Sequence, residues 1–165
     1  MGTVAKTIAE HKIEIVATER TCDYLATIGV EAKKTSSITG FDQMLEGKIK
    51  TLHPAIHEMI MTGDTEIVIV DLMRLGSDAD ALEKTMDLGG IALIRTGIKF
   101  HSNVCVAATD GARAAIVRDL ETHGRIRRAT RLECAVLSQM EVIRYETAIG
   151  ELLKKDIDQT GRPIQ

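Results

Sequence analysis

The sequence predicts an α/β domain in which a mainly parallel sheet lies between two layers of helices. Three β-branched segments, at 13–18, 66–72 and 103–109, are typical of strands that are buried on both faces. Helical patterns separate them, and strands alternating with helices imply right-handed crossovers and a three-layer arrangement. A chain of 165 residues with 44% hydrophobic content is long enough for one such core.

The helices are predicted from their capping residues and apolar spacing. Gly29 is placed to end the first helix that follows a strand, Ser77 to begin the helix that contains Leu82 and Met86, and Asp110 to begin a helix that Gly124 ends. A long final helix is predicted at about 128–155, and its apolar residues recur at helical spacing: Leu132, Val136, Met140, Ile143 and Ile149.

Composition excludes several classes of function. The net charge of −3, the absence of Trp and the presence of only two Phe and two Tyr argue against nucleic-acid binding. No apolar run is long enough to span a membrane and no signal peptide is recognisable, so a cytoplasmic protein without a membrane partner is expected. Cys22, Cys105 and Cys134 lie far apart, which predicts buried thiols rather than disulfides or a zinc site.

A functional rim is expected where the parallel strands end. In open α/β sheets ligands bind at the carboxyl ends of the strands, beside helix N-termini. The predicted strands therefore bring Thr18–Thr21, Asp71–Arg74 and Thr109–Asp110 to one edge of the sheet.

The segment GKIKTLHPAIH, 47–57, allows more than one interpretation. Lys48, Lys50 and Thr51 suit a phosphate monoester, but a solvated basic loop explains the same composition. His53 and His57 are four residues apart, as in some metal sites. Because Pro54 intervenes and no third ligand is evident, hydrogen bonding and helix capping are favoured for both histidines.

The segment MDLGGIALIRTGIKFH, 86–101, is the second candidate. Asp87 and the glycines that follow it stand before an apolar helical run, and a helix N-terminus favours anions. A plain helix connection with Lys99 reaching solvent is an equally good interpretation of the segment alone.

Several motifs, taken in order, resemble the inosine monophosphate (IMP) cyclohydrolase domain of bifunctional AICAR transformylase/IMP cyclohydrolase. ITGFDQMLEGKIKTLHPAIH is similar to the family's TGF-x-EML-x-GRVKTLHP segment, and MDLGGIALIRTGIKFH to its IDIGG…LLRAAAKNH segment. IVATERTCDYLATIGV resembles its STGGT strand and loop, and ATRLECAVLSQMEVIRYETAI its ETR…YD-AI helix. The resemblance implies a methylglyoxal-synthase-like fold, with this domain at 1–152 and a polar tail at 153–165.

The resemblance also implies an activity and a set of residue roles. The family closes the purine ring of 5-formamidoimidazole-4-carboxamide ribotide to give IMP, without metal or cofactor. By motif match, the implied catalytic residues are Lys50, Asp87 and Lys99. The resemblance implies that Lys50 is the essential cation, that Asp87 orients or helps to deprotonate the amide nitrogen, and that Lys99 stabilises the developing oxyanion. The implied substrate- and phosphate-binding residues are Thr18, Arg20, Thr21, Lys48, Thr51, Asp71 and Gly89.

The sequence also departs from this family. Glu19 and Arg20 replace two glycines of the STGGT loop, Met73 stands at the family's tyrosine, and the family's first strand and its phosphate loop have no counterpart ahead of the first helix. Two functions therefore stay open. One is a homodimeric cyclohydrolase that acts on this ribonucleotide or a related one. The other is a non-catalytic nucleotide-binding module, or a subunit that needs a partner to supply a strand.

Overall fold

In a computed structural model of the chain, residues 1–41 and 49–160 are described. The helices are α1 (Gly2–Glu10), α2 (Glu19–Thr27), α3 (Ser36–Thr39), α4 (Pro54–Thr62), α5 (Ala79–Thr85), α6 (Leu88–Lys99), α7 (Asp110–His123) and α8 (Arg128–Thr160). The strands are β1 (Val16–Ala17), β2 (Lys33–Lys34), β3 (Ile67–Ile69) and β4 (Cys105–Ala107). The alternation of strands and helices agrees with the predicted α/β class.

The strands form two parallel pairs. β1 pairs with β2 in the register Val16↔Lys33, and β3 pairs with β4 in the register Ile67↔Cys105. Across the described residues, each pair is a separate two-stranded sheet. The outer edges of β1 and β3 therefore carry no partner strand in the described part of the chain.

The outer edge of β4 is covered by α8. Ser138 of α8 is fully buried, and its hydroxyl accepts a hydrogen bond from the Ala108 amide (3.0 Å) and donates one to the Val106 carbonyl (2.9 Å). One side chain thus satisfies two buried groups of the strand edge. Each of these groups would cost about 1–3 kcal/mol if it were buried without a hydrogen-bond partner. α6 packs on one face of β4, and it lies so close that a Cβ on Gly97 would be 2.8 Å from the Val106 Cβ.

The core has two faces around β3 and β4, which makes the arrangement three-layered. Cys105 and Ala107 pack with residues of α1, α7 and α8 on one face. Val104 and Val106 pack with residues of α4, α6 and α8 on the other. Alternate residues of one strand thus enter opposite layers, as expected for a strand that is buried on both faces.

Some predicted boundaries were wrong, for local reasons. Asp78 rather than Ser77 caps α5, because its carboxylate accepts the Ala81 amide while the Ser77 hydroxyl bonds to that carboxylate. Thr109 rather than Asp110 caps α7 by accepting the Ala112 amide. α8 continues to Thr160, into the segment assigned to a polar tail. The domain boundary at 152 stays a prediction.

Other expectations from the sequence are confirmed. Gly29 and Gly124 follow α2 and α7 with positive φ, where glycine avoids the steric cost of a side chain. All three cysteines are buried and free. Among the described residues, no helix is long and apolar enough to cross a membrane.

A buried carboxylate at the α7–α8 connection gives the first stability prediction. Asp119 is fully buried, and it accepts hydrogen bonds from Nε, Nη2 and the backbone amide of Arg127 at 2.6–2.9 Å. Burial alone would raise the pKa of Asp119, but the bonds from Arg127 and Thr130 outweigh it and hold the pKa well below its usual range.

We expect Asp119→Asn to lower the free energy of unfolding by about 3 kcal/mol at neutral pH, because it breaks a buried charge pair. The folded-state pKa lies below the unfolded-state value, so the contribution is complete above about pH 4 and is lost as the pH falls toward the folded pKa. Urea unfolding at pH 7 and pH 3 measures both effects. The exposed pair of Glu14 with Lys33 provides the control, since Glu14→Gln should cost less than about 1 kcal/mol. An equal loss for Asp119→Asn at both pH values would contradict this account.

Candidate functional site

A cavity of about 930 Å³ lies at the carboxyl ends of β3 and β4. Its wall is formed by 71–75 after β3, 108–110 after β4, and the inner side of α8 from Glu141 to Lys155. This is the edge on which ligands bind in open α/β folds. The predicted rim residues Asp71 and Thr109 line it, whereas Lys50, Asp87 and Lys99 are not part of its wall.

Arg113 organises the charges of this cavity, and sequence reasoning missed it. Its guanidinium bonds to Asp71 (2.6 Å) and to Asp110 (2.8 Å), and its side chain is 13% exposed. The bonds from Arg113 hold the pKa of Asp110 below its usual range. Asp71, assigned to substrate binding by motif match, therefore carries an ion pair in this structure.

Asp87 is fixed at the N-terminus of α6. Its Oδ1 accepts the Gly90 amide at 2.6 Å, and its Oδ2 accepts the Met73 amide at 3.3 Å. A Cβ on Gly90 would lie 2.5 Å from Oδ2, so Gly90 is the glycine that permits this cap, while Gly89 is buried beside it. Since Met73 follows β3, Asp87 lies on the carboxyl side of that strand.

Tyr145 holds Asp87 from α8, and sequence reasoning missed this contact too. Its hydroxyl accepts the Asp87 amide at 2.9 Å and donates to the Thr85 carbonyl at 3.4 Å. Tyr145 is 3% exposed, and burial raises its pKa. The phenol lines the same cavity as Met73, but its bonds assign it to positioning the start of α6.

A second group of polar residues gathers at the end of β1. The Thr18 and Thr21 hydroxyls lie 3.1 Å apart at the start of α2. The carboxylate of Glu19 is held by its own backbone amide, by Ser36 and by the charge of Lys50, which together keep its pKa below the usual range although burial opposes them. Lys50 and Thr51 are half-buried, and Arg20 is exposed.

One oxygen of Glu19 is unusual. Its Oε2 is buried and has no hydrogen-bond partner in the described part of the chain. A carboxylate thus occupies the first turn of α2, where backbone amides and the helix dipole favour an anion.

The two histidines of GKIKTLHPAIH have structural roles, as predicted. His53 caps α4 by accepting the Ala55 amide at 3.2 Å, and the His57 ring bonds to the Thr96 hydroxyl at 2.9 Å. Across the described residues, no group of three or more metal-ligating side chains could hold an ion. Lys48 lies outside the described residues.

Contacts at α4 and α6 indicate how these two helices run relative to each other. His57 of α4 meets Thr96 of α6, and beyond the C-terminal ends of the two helices a Cβ on Gly63 would lie 3.6 Å from the Asn103 side chain. The residues of both contacting pairs are about forty positions apart in the sequence, so the two helices run in the same direction. Lys50 and Thr51 lie in the turn that precedes α4.

Lys99 lies at the opposite end of α6. It is exposed in the last turn, with its ammonium 5.6 Å from the centre of the Phe100 ring. A rise of about 1.5 Å per residue separates the Cα atoms of Asp87 and Lys99 by ~18 Å. Lys99 thus stands near the amino end of β4, and the structure does not bring it to the rim of its own chain.

These features define a class of protein: a three-layer α/β domain with polar groups and a cavity at the carboxyl ends of parallel strands. Residues 1–94, more than half of the chain, match the family model described as the MGS-like domain. The chain belongs to this family.

Individual relatives agree with the resemblance drawn from the motifs. The chain is 28% identical, over 178 aligned positions, to the bifunctional purine biosynthesis protein PurH of Brucella ovis and to that of Brucella canis. Each alignment covers 94% of this chain and 33% of the relative, so the chain spans about a third of the length of these relatives.

A solved structure supports the fold. The structure titled "Crystal structure of ForH" superposes with a TM-score of 0.78 at 19% sequence identity, covering 92% of this chain and 91% of the other. The predicted methylglyoxal-synthase-like fold is thereby confirmed.

Proposed function

We propose that this chain is a cyclohydrolase-like enzyme of purine biosynthesis that closes the ring of 5-formamidoimidazole-4-carboxamide ribotide to form IMP. One observation carries the proposal: Asp87, the implied acid of the motif match, is held at the start of α6 with both carboxylate oxygens accepting backbone amides, on the side of β3 where ligands bind in such folds. The Brucella relatives are bifunctional purine biosynthesis proteins, which supports a role of this chain in the same kind of chemistry.

The proposed reaction requires positioning and charge stabilisation. The carboxamide nitrogen attacks the formyl carbon, a C–N bond forms, and the formyl oxygen takes up a proton while the nitrogen loses one. The resulting hydroxyl then leaves as water: its C–O bond breaks, the former formamide nitrogen gives up its proton to the departing oxygen, and a C=N bond forms in the ring. Holding the two reacting groups in contact supplies much of the acceleration, and a cation beside the oxygen stabilises the charge that develops there.

The residues have distinct proposed roles. Lys50 supplies the cation closest to the nucleotide, and the hydroxyls of Thr18, Thr21 and Thr51 bind the 5′-phosphate. Asp87 has both carboxylate oxygens fixed by backbone amides, so it can accept the carboxamide N–H in a defined direction. No metal or cofactor is required by this scheme.

The role of Lys99 requires a second copy of the chain. The motif match implies that Lys99 stabilises the oxyanion, yet helix α6 separates it from Asp87 by ~18 Å in one chain. We therefore propose that Lys99 serves the site of a partner subunit in a homodimer.

A non-catalytic nucleotide-binding module is the second candidate, and Met73 favours it. A methionine at the position of the family's tyrosine donates no hydrogen bond, and loss of one positioned donor commonly costs about 10²–10³ in rate. Assaying IMP formation and IMP binding on one preparation separates the candidates. The enzyme forms IMP from the formylated ribotide, whereas the module binds IMP without turning the ribotide over.

Glu19 provides a sharper test of the phosphate position. Because its carboxylate occupies the first turn of α2, we expect it to repel a bound phosphate and to compete for the amides there. Replacing Glu19 by Gln keeps the shape and removes the charge, so the affinity for IMP should rise about tenfold or more at low ionic strength.

Asp23 supplies the matched control, since it is an exposed acid one turn further along α2. Asp23→Asn changes the net charge equally and should alter the affinity less, because its exposed charge acts on the phosphate through water and over a longer distance. Isothermal titration of each variant with IMP gives the comparison. An unchanged or weaker affinity in Glu19→Gln would show that the phosphate does not bind at the start of α2.

A further inference from the structure

The start of α6 has only half of a capping box. Asp87 is the N-cap residue, and its carboxylate accepts the Gly90 amide at 2.6 Å. In a complete capping box the third helical residue is Glu or Gln, and its side chain accepts the amide of the N-cap residue in return. Gly90 occupies that third position and has no side chain, so the Asp87 amide needs a partner from elsewhere in the chain.

Glycine at this position leaves room for the Asp87 carboxylate. A Cβ on Gly90 would lie 2.5 Å from Oδ2 of Asp87, so a Glu or Gln there would push the carboxylate away from the first turn of α6. With glycine the carboxylate lies against that turn, and its Oδ2 accepts the Met73 amide at 3.3 Å. The residue that would complete the box locally is therefore incompatible with the observed direction of the carboxylate.

Tyr145 of α8 supplies the missing half of the box. Its hydroxyl accepts the Asp87 amide at 2.9 Å and donates to the Thr85 carbonyl at 3.4 Å. Thr85 is the last residue of α5, where carbonyl groups lack helical partners. Tyr145 is buried, and burial raises its pKa, so the phenol stays protonated at neutral pH and can both accept and donate. One side chain thus joins the end of α5 to the start of α6.

We propose that Tyr145 is a positioning residue of the ring closure: it fixes the backbone of Asp87 and thereby the direction in which the Asp87 carboxylate meets the substrate. The inference rests on the proposed role of Asp87 in that reaction. Asp87 lies between two helices, with φ −88° and ψ 99°, so helical hydrogen bonds alone do not fix its backbone. A displacement of about 1 Å at a reacting group can cost up to about 10² in rate.

Ser138 provides a matched comparison on the same helix. It precedes Tyr145 by seven residues, which places both side chains on one face of α8 about 10 Å apart. The Ser138 hydroxyl also accepts one amide and donates to one carbonyl, but these groups belong to Ala108 and Val106. Tyr145→Phe and Ser138→Ala therefore each remove a buried hydroxyl with two backbone bonds. We expect both to lower the midpoint of thermal unfolding by about 2–4 °C.

Single-turnover kinetics separate positioning from stability. We expect Tyr145→Phe to slow the conversion of bound ribotide about tenfold while the affinity for IMP changes less than about twofold. Ser138→Ala should change neither quantity by more than about twofold. In an Asp87→Asn background Tyr145→Phe should have little further effect, because Tyr145 acts through that carboxylate. An unchanged rate in Tyr145→Phe, an equal loss in Ser138→Ala, or a full tenfold loss in the Asp87→Asn background would overturn the proposal.

Amide NMR spectra of the ligand-free protein give a readout that does not depend on activity. We expect Tyr145→Phe to shift the Asp87, Gly90 and Met73 amide resonances and to speed hydrogen exchange of the Asp87 amide, whereas Ser138→Ala leaves them in place. Unchanged Gly90 and Met73 resonances in Tyr145→Phe would overturn the proposal. A wild type that forms no IMP would overturn the proposed function instead, and the spectra would still show whether Tyr145 fixes the Asp87 carboxylate.

Discussion

Replacing Lys50 by alanine is expected to lower IMP formation at least about 10³-fold while the fold is retained. Lys50 is half-buried at the start of the segment that leads into α4, and its charge acts on the Glu19 carboxylate. A cation in such a position stabilises developing negative charge far better than one in water, and removing it takes away an interaction that strengthens in the transition state.

Single-turnover measurements distinguish the effect on catalysis from an effect on binding. We expect Lys50→Ala to reduce the rate constant of the bound ribotide, and Lys50→Arg to recover part of it, because the charge is kept while its geometry changes. Lys6→Ala is the control, since Lys6 is an exposed lysine on α1 away from the rim. If Lys50→Ala only weakened binding and left the bound rate unchanged, Lys50 would be a binding residue alone.

Heterodimers of Lys50→Ala and Lys99→Ala chains are expected to have about half of the wild-type activity, although each variant alone should be inactive. If Lys99 acts across subunits, such a heterodimer has one site with both lysines and one site with neither. Two different affinity tags on co-expressed chains allow the heterodimer to be purified and assayed for IMP formation.

A reciprocal heterodimer makes the test decisive. Pairing the wild-type chain with the Lys50→Ala/Lys99→Ala chain gives two sites that each lack one lysine if Lys99 acts across subunits, so this heterodimer should be inactive. If Lys99 instead acted within its own chain, the two results would exchange: the reciprocal heterodimer would keep half of the activity and the first would have none. That exchange would contradict the assignment of Lys99 to the partner's site.

Local sequence patterns were sufficient for much of the fold. The helical segment after Asp87, the buried cysteines and the structural roles of the two histidines were all predicted, because each depends on residues close together in the chain. Strand lengths were overestimated, since β-branched runs continue beyond the residues that find a pairing partner. β2, Lys33–Lys34, was missed because two exposed lysines have no apolar pattern.

The candidate site was harder to predict because its contacts join distant parts of the chain. Tyr145 meets Asp87 across 58 residues and Arg113 meets Asp71 across 42, and no local pattern indicates either pairing. The position of Lys99, by contrast, follows from local geometry. A helix over 88–99 separates its two ends by ~18 Å, so Asp87 and Lys99 do not lie close together in one chain although they belong to one sequence motif.

Incubating the purified protein with 5-formamidoimidazole-4-carboxamide ribotide and following IMP by absorbance tests the central claim most directly. We expect enzyme-dependent formation of IMP well above the spontaneous rate, without added metal or cofactor and unaffected by a chelator. We also expect loss of this activity in Lys50→Ala but not in Lys6→Ala. Tight binding of IMP by a folded protein that leaves the ribotide unconverted would contradict the claim and favour the binding module.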